Sequence, residues 1–84
     1  MTELQRIMHV EDDPSIQQVA KIALEAVGGF SVHTCSSGQQ ALADYADFAP
    51  QLILLDVMMP GMDGPTTLQH LQQQYDLSAI PAVF

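Results

Sequence analysis

Residues 52–64 read LILLDVMMPGMDG and contain the most apolar run of the chain, Leu52 to Leu55, followed directly by Asp56. Four apolar residues without alternation are typical of a central parallel strand, which is covered on both faces. The proline and the glycines after Asp56 predict a loop. This pattern predicts that Asp56 lies at the carboxyl end of a strand, where open parallel sheets form their sites.

The segments on either side of this strand alternate between strand and helix patterns. Further strands are predicted at residues 6–10, 30–35 and 80–84, with a helix in each interval. The order β-α-β-α-β-α-β predicts an α/β fold with a doubly wound parallel sheet. The length of 84 residues allows one domain, which we place at residues 1–84.

The predicted helices begin at residues suited to a first turn. Asp13 can cap the first helix, Ser36 or Ser37 the second, and Pro65 opens the third. The first helix also carries an apolar stripe at helical spacing. The residues of this stripe are Ile16, Val19, Ala20, Ala23, Leu24 and Val27.

Composition and charge limit the classes of partner. Ten Asp and Glu residues against two Lys and Arg residues give a formal charge of −8. Binding to nucleic acid or to an anionic membrane needs clustered Lys and Arg, so neither is expected of this segment. The single cysteine, Cys35, allows no internal disulfide and fits a reducing compartment. No apolar run is long enough to span a membrane and residues 1–6 lack a signal-peptide pattern, so we expect a cytoplasmic location.

Three carboxylates would meet at one edge of the sheet if the first and third strands are neighbours. Glu11 and Asp12 follow the first strand, and Asp56 follows the third. At ~5 Å and an effective dielectric constant of ~20, each pair would repel by roughly 3 kcal/mol. Mg²⁺ removes this repulsion, since it binds one or two carboxylates together with several waters. An Asp beside such an ion is placed to attack phosphorus and to carry an aspartyl phosphate.

Residues 52–64 closely resemble the phosphoacceptor segment of bacterial response-regulator receiver domains. RIMHVEDDPSI (residues 6–16) is similar to the first strand and acidic pair of that family. SSGQQALADYADFAPQ (residues 36–51) resembles its second helix, and SAIPAVF (residues 78–84) resembles the start of its fourth strand. The resemblance implies a flavodoxin-like fold with strand order 2-1-3-4-5, incomplete here because the pattern stops in the fourth strand.

The resemblance also implies roles for individual residues. Asp56 would accept a phosphoryl group from a phosphohistidine on a sensor histidine kinase or a histidine phosphotransfer protein. Mg²⁺ would be bound by Asp12, by Asp56, by the backbone carbonyl of Met58, and by Glu11 acting mostly through water. The expected protein is a phosphoacceptor of two-component signalling and not a stand-alone turnover enzyme.

The chain departs from the family pattern in two respects. Glu11 stands where the family more often has Asp. The Ser or Thr and the Lys with which the family contacts the phosphoryl group would follow Phe84, so we expect an acceptor and metal site without the readout. The outer edge of the fourth strand would then be unpaired, which predicts self-association by edge pairing or by exchange of segments.

Two alternatives remain open from the sequence. One is a pseudo-receiver that acts as an interaction module without phosphate. The other is an aspartyl-phosphate phosphotransferase of the haloacid-dehalogenase kind, although that group places two Asp residues directly after its first strand.

The remaining candidate ligands share no metal-binding spacing. His9, His33 and His70 are expected to be structural or surface residues. Cys35 is expected to be buried as a small apolar side chain.

Overall fold

The computed structural model describes residues 3–84, which form a single parallel sheet of four strands with helices packed on it. Met1 and Thr2, at the start of the predicted domain 1–84, lie outside the described residues. The elements are β1 (Arg6–Val10), α1 (Pro14–Ile22), a π-helical segment (Ala23–Val27), β2 (Ser31–Cys35), α2 (Gly38–Phe48), β3 (Leu52–Leu55), α3 (Gly64–Gln74) and β4 (Ala82–Val83). The strand order β2-β1-β3-β4 confirms the predicted fold class and the order implied by the resemblance.

The sheet register brings the carboxyl ends of three strands to one edge. Val10 is paired with Cys35 on β2 and with Leu55 on β3. The N–H of Glu11 donates to the Cys35 carbonyl at 2.9 Å, and the N–H of Asp56 donates to the Val10 carbonyl at 2.9 Å. The residues that leave β1 and β3 are therefore held side by side by backbone hydrogen bonds.

The main core lies between the sheet and helices α2 and α3. The alternating residues Met8, Val10, Ile53 and Leu55 point into it, and Leu71 of α3 is fully buried against them. Burying an aliphatic side chain of this size stabilises a fold by about 1.5–3 kcal/mol. This core anchors the two central strands whose ends carry the acidic residues.

A polar residue directly before each α-helix caps its N-terminus. The Asp13 carboxylate accepts from the N–H of Ser15 at 2.8 Å, and the Asp63 carboxylate accepts from the N–H of Thr66 at 2.8 Å. For α2 the cap is Ser37, one of the two predicted serines. None of the helices in the described part of the chain is long and apolar enough to cross a membrane.

The apolar stripe of the first helix is largely exposed. Ile16 is 49% exposed, Val19 69% and Val27 87%. Only Ala20 and Leu24 of the stripe are partly buried. The stripe continues from α1 into the π-helical segment Ala23–Val27, and within residues 3–84 little packs on it.

The fourth strand is shorter than predicted, since only Ala82–Val83 pair with β3 instead of residues 80–84. The N–H of Ile80 is used in a turn with the Leu77 carbonyl. Pro81 has no N–H and contributes only its carbonyl, which accepts from Ile53 at 3.0 Å. The outer edge of β4 has no strand partner among residues 3–84, and the expected self-association there stays a prediction.

Candidate functional site

The three predicted acidic residues lie together at the carboxyl edge of the sheet. Glu11, Asp12 and Asp56 each offer one carboxylate oxygen, and these oxygens lie within 4.8 Å of one another. Glu11 and Asp12 reach this place from the end of β1, and Asp56 reaches it from the end of β3. We call this group the acidic cluster.

The neighbouring acid Asp13 has a different task. Its carboxylate caps α1, as predicted, and so faces the helix N-terminus. Glu11 is only 6% exposed and accepts a hydrogen bond from the N–H of Asp13 at 3.2 Å, whereas Asp12 is exposed. Of three consecutive acids, two therefore point to the cluster and the third stabilises the following helix.

The electrostatics of the acidic cluster favour a cation. Burial raises the pKa of the Glu11 carboxyl, and the nearby Asp56 charge raises this pKa further. The chain has two cationic residues: Arg6 at the start of β1, which donates to the Ala49 carbonyl at 2.8 Å, and Lys21, exposed on α1. Neither pairs with the acidic cluster, so its negative charge suits a hard divalent cation such as Mg²⁺.

The loop after Asp56 holds the carboxylate in place. The N–H of Met58 donates to Asp56 Oδ1 at 3.4 Å. Gly64 packs so closely that a Cβ atom there would lie 2.2 Å from the backbone oxygen of Asp56. The sequence assigned this glycine only to a loop, and its contact with Asp56 becomes visible only in the fold. The Met58 carbonyl as a metal ligand stays a prediction.

A cavity of about 300 Å³ lies beside the acidic cluster. Glu11 and Asp56 form its polar side, and Leu54, Val83 and Phe84 contribute apolar surface. A water molecule occupies roughly 30 Å³ in the liquid, so the cavity has room for a hydrated ion and a phosphoryl group. A larger cavity of about 510 Å³ is lined by the loop after Asp56 and contains none of the clustered acids.

His9 of β1 lines the same cavity, a position that the sequence did not reveal. It is 7% exposed, and its Nδ1 has no hydrogen-bond partner among the described residues. Burial lowers the pKa of His9, against an opposing effect of the Asp56 charge. A neutral, packed imidazole agrees with the structural role expected for this residue.

The sheet order and the acids at its carboxyl edge together define a CheY-like α/β domain of flavodoxin type. Comparison with protein families then matches residues 7–84 to the response regulator receiver domain. The chain therefore belongs to the response regulator receiver domain family.

Similar proteins agree with this assignment. A probable C4-dicarboxylate response regulator, DctR of Halalkalibacterium halodurans, is 35% identical over 81 residues, which cover 92% of this chain and 35% of that protein. The DNA-binding response regulator MtrA of Mycolicibacterium smegmatis is 43% identical over 63 residues, covering 75% and 27%. The chain thus spans about a third of the length of these relatives.

A solved structure is also closely similar. The N-terminal domain of a response regulator receiver protein from Methanoculleus marisnigri superposes with a TM-score of 0.85 at 36% sequence identity. The match covers 95% of this chain and 64% of that chain. The fold predicted from alternating strands and helices is therefore the fold of the family.

Proposed function

We propose that this receiver domain accepts a phosphoryl group on Asp56 from a phosphohistidine of a partner kinase or phosphotransfer protein, with Mg²⁺ as cofactor. The observation that supports it most is the acidic cluster, in which Asp56 lies within 4.8 Å of Glu11 and Asp12 at the open edge of the sheet. The cytoplasmic location and the absence of nucleic-acid binding by this segment stay predictions.

The residues of the acidic cluster fit a magnesium ion. Asp12 and Asp56 would bind it directly, Glu11 mainly through water, and the Met58 carbonyl would complete the set from the chain. Bound there, Mg²⁺ would neutralise the carboxylates and the oxygens of the incoming phosphoryl group. The raised pKa of Glu11 supports a need for positive charge at this place, and so does the lack of a cationic side chain near the acidic cluster among residues 3–84.

The chain itself supplies the nucleophile and its orientation. One Asp56 carboxylate oxygen attacks phosphorus in line with the phosphorus–nitrogen bond of the donor, an oxygen–phosphorus bond forms, and the imidazole leaves and takes a proton from solvent. The Met58 N–H orients the carboxylate by its contact with Oδ1. Because Gly64 has no Cβ atom, it can pack directly against the backbone of Asp56, and this packing holds Asp56 in position. The contribution of the domain is therefore positioning together with charge stabilisation.

The proposal can be tested with acetyl phosphate in the presence and absence of Mg²⁺. Intact mass and peptide mapping should find one phosphoryl group on Asp56, dependent on Mg²⁺ and lost in Asp56→Asn. Asp47→Asn, which removes an exposed acid of α2 outside the acidic cluster, is the matched control and should behave as wild type. Modification at another residue, or at an equal rate without Mg²⁺, would contradict the proposal.

A pseudo-receiver would give a different result in the same assay. It would stay unmodified while folded, with acetyl phosphate and with a phosphorylated histidine phosphotransfer protein as donor. The haloacid-dehalogenase alternative is replaced by the family assignment, and the nucleophile candidate Asp56 follows β3 instead of β1.

A further inference from the structure

A second cluster of potential ligands lies between β2 and α2, and it shares no residue with the acidic cluster. His33 and Cys35 are two residues apart on this strand and so share a face, which is the face covered by α2. Asp44 of α2 reaches the same place. One ligand atom from each of these three residues lies within 4.8 Å of the other two, and His33 Nε2 is 2.8 Å from Asp44 Oδ2.

The cluster has a buried inner end and an open outer end. Cys35 is fully buried, whereas the side chains of His33 and Asp44 are 37% and 35% exposed. They border a cavity of about 310 Å³ that Asp47 and Phe48 also line. The His33 ring packs on the Phe48 ring with a centroid distance of 5.2 Å, which holds the imidazole in position.

Two simpler interpretations account for only part of this arrangement. An exposed ion pair beside a core cysteine would explain the contact between His33 and Asp44 and the burial of Cys35, but not why one ligand atom from each of the three lies within 4.8 Å of the others; such pairs contribute only about 0–1 kcal/mol. A nucleophilic cysteine would need an accessible thiolate. Cys35 is 0% exposed and burial raises the pKa of its thiol to about 12, so the residue is an unreactive thiol in the metal-free protein.

We propose that His33, Cys35 and Asp44 form a binding site for Zn²⁺ or a cation of the same class. An imidazole nitrogen and a sulfur select such a borderline-soft ion over Mg²⁺, which prefers oxygen ligands. His33 and Asp44 line the cavity together with Asp47, so the Asp47 carboxylate or a water would supply the fourth ligand from that side. On binding, the Cys35 thiol proton is released to solvent and a zinc–sulfur bond forms; no electron is transferred.

The distances require only small side-chain movements. Ligand atoms around tetrahedral Zn²⁺ are roughly 3.3–3.8 Å apart, as follows from bond lengths of about 2.0–2.3 Å. The His33 and Asp44 atoms, now 2.8 Å apart, must separate by roughly half an ångström, and the sulfur must approach by up to about 1 Å.

Such an ion would tie an edge strand to its covering helix. β2 pairs only with β1 in the described sheet, and the face that carries His33 and Cys35 packs against α2. The Cys35 carbonyl accepts a hydrogen bond from the N–H of Glu11 at 2.9 Å. An ion bound to Cys35 would therefore also stabilise the backbone position of Glu11 in the acidic cluster. The site is separate from the acidic cluster in its ligands and in its choice of metal.

Titration of the protein with Co²⁺, followed by absorption spectroscopy, tests the proposal. Wild type should develop a thiolate-to-metal charge-transfer band and the visible bands of tetrahedral Co²⁺, and Zn²⁺ should displace both. Cys35→Ala should abolish the charge-transfer band, and Asp44→Asn should weaken Zn²⁺ binding by at least roughly 10-fold, since loss of an outer-shell carboxylate alone costs about 10–100-fold. Asp56→Asn, which alters only the acidic cluster, should leave the charge-transfer band unchanged, because that band reports the Cys35 thiolate alone.

Two results would overturn the proposal. One is the absence of a charge-transfer band in the folded wild type at saturating Co²⁺. The other is Zn²⁺ affinity that is unchanged in Asp44→Asn but lost in Asp56→Asn, because the ion would then occupy the acidic cluster. Asp44 lies partly exposed on α2, so this variant remains informative even if Cys35→Ala fails to fold.

Discussion

Replacing Asp56 with asparagine should stabilise the metal-free domain, because the substitution removes one of three clustered negative charges and preserves the shape of the side chain. At 4.8 Å, a pair of charges repels by about 3.5 kcal/mol at an effective dielectric constant of ~20 and by about 0.9 kcal/mol at ~80. Because Asp12 is exposed to water, its repulsion with Asp56 lies nearer the lower of these two energies. We therefore expect a gain of about 1–3 kcal/mol in the free energy of unfolding at neutral pH.

Thermal unfolding followed by circular dichroism measures this gain. In a domain of this size, 1 kcal/mol corresponds to about 4–8 °C in Tm, so the variant should unfold at least about 4 °C above wild type without Mg²⁺. Mg²⁺ at a concentration one hundred times its dissociation constant should stabilise wild type by about 2.7 kcal/mol and so raise its Tm. The Tm of Asp56→Asn should rise much less. The two unfolding temperatures should therefore converge as Mg²⁺ is added.

A second single-charge variant separates the local effect from the net charge of −8. Glu3→Gln removes one negative charge at an exposed position outside the acidic cluster and should change Tm little. If Asp56→Asn is no more stable than Glu3→Gln, or responds to Mg²⁺ as strongly as wild type, the acids do not act as a repulsive cluster that binds a cation.

Substitutions at Gly64, at Glu11 and at Phe84 test the loop after Asp56, the buried acid of the acidic cluster and the outer edge of β4. Gly64→Ala should lower the free energy of unfolding by about 1–3 kcal/mol in urea, because the new Cβ meets the Asp56 carbonyl; an unchanged midpoint would contradict this. The pKa of Glu11 is higher in the folded protein than in the unfolded chain. Without Mg²⁺, the Glu11 carboxyl therefore stabilises the fold fully below its ordinary pKa, and this stabilisation is lost as the pH rises through the pKa of the folded state. Glu11→Gln should therefore gain Tm relative to wild type as the pH rises above about 4.3, and a constant difference across pH would refute this interpretation. Sedimentation should find self-association that Phe84→Lys weakens, since Phe84 and the neighbouring Val83 are about half exposed at the unpaired edge; a wild type that stays monomeric at high concentration would refute it.

The acidic cluster was partly predictable because Glu11 and Asp12 are the first two residues after β1 and Asp56 directly follows β3. Alternation and the rule that parallel strands end at the same edge place Glu11, Asp12 and Asp56 after the first and third strands, but the three meet only if those strands are neighbours. Asp13 was assigned to the helix cap because a proline follows it, and the structure agrees. By contrast, the order of the strands came from the family resemblance, since the spacing of residues does not determine it.

The cluster of His33, Cys35 and Asp44 was not predictable in the same way. Alternation places the first two on one face of β2, but Asp44 joins them only through the rotation and tilt of α2 on the sheet. These depend on packing, such as that of the fully buried Ala41. A search for regular ligand spacing therefore misses ligands that come from a strand and its covering helix.

The edges of the fold were also harder to predict than its centre. An apolar stripe shows which face of a helix avoids water, but not what covers that face, and Val19 and Val27 are mostly exposed. Strand length at β4 depends on free N–H groups as well as on apolar residues, and Pro81 removes one. The continuous apolar run at Leu52–Leu55, in contrast, has a strand on either side, as its pattern predicts.

Anomalous diffraction from a crystal soaked in Mn²⁺ tests most directly whether Asp56 and the acids after β1 form one cation site. Mn²⁺ replaces Mg²⁺ at oxygen-rich sites and its position can be seen without ambiguity. We expect one anomalous peak bonded to carboxylate oxygens of Asp12 and Asp56, absent from Asp56→Asn crystals. No peak at saturating Mn²⁺, or a peak bonded to other residues while Asp56 points away from Glu11 and Asp12, would contradict the account.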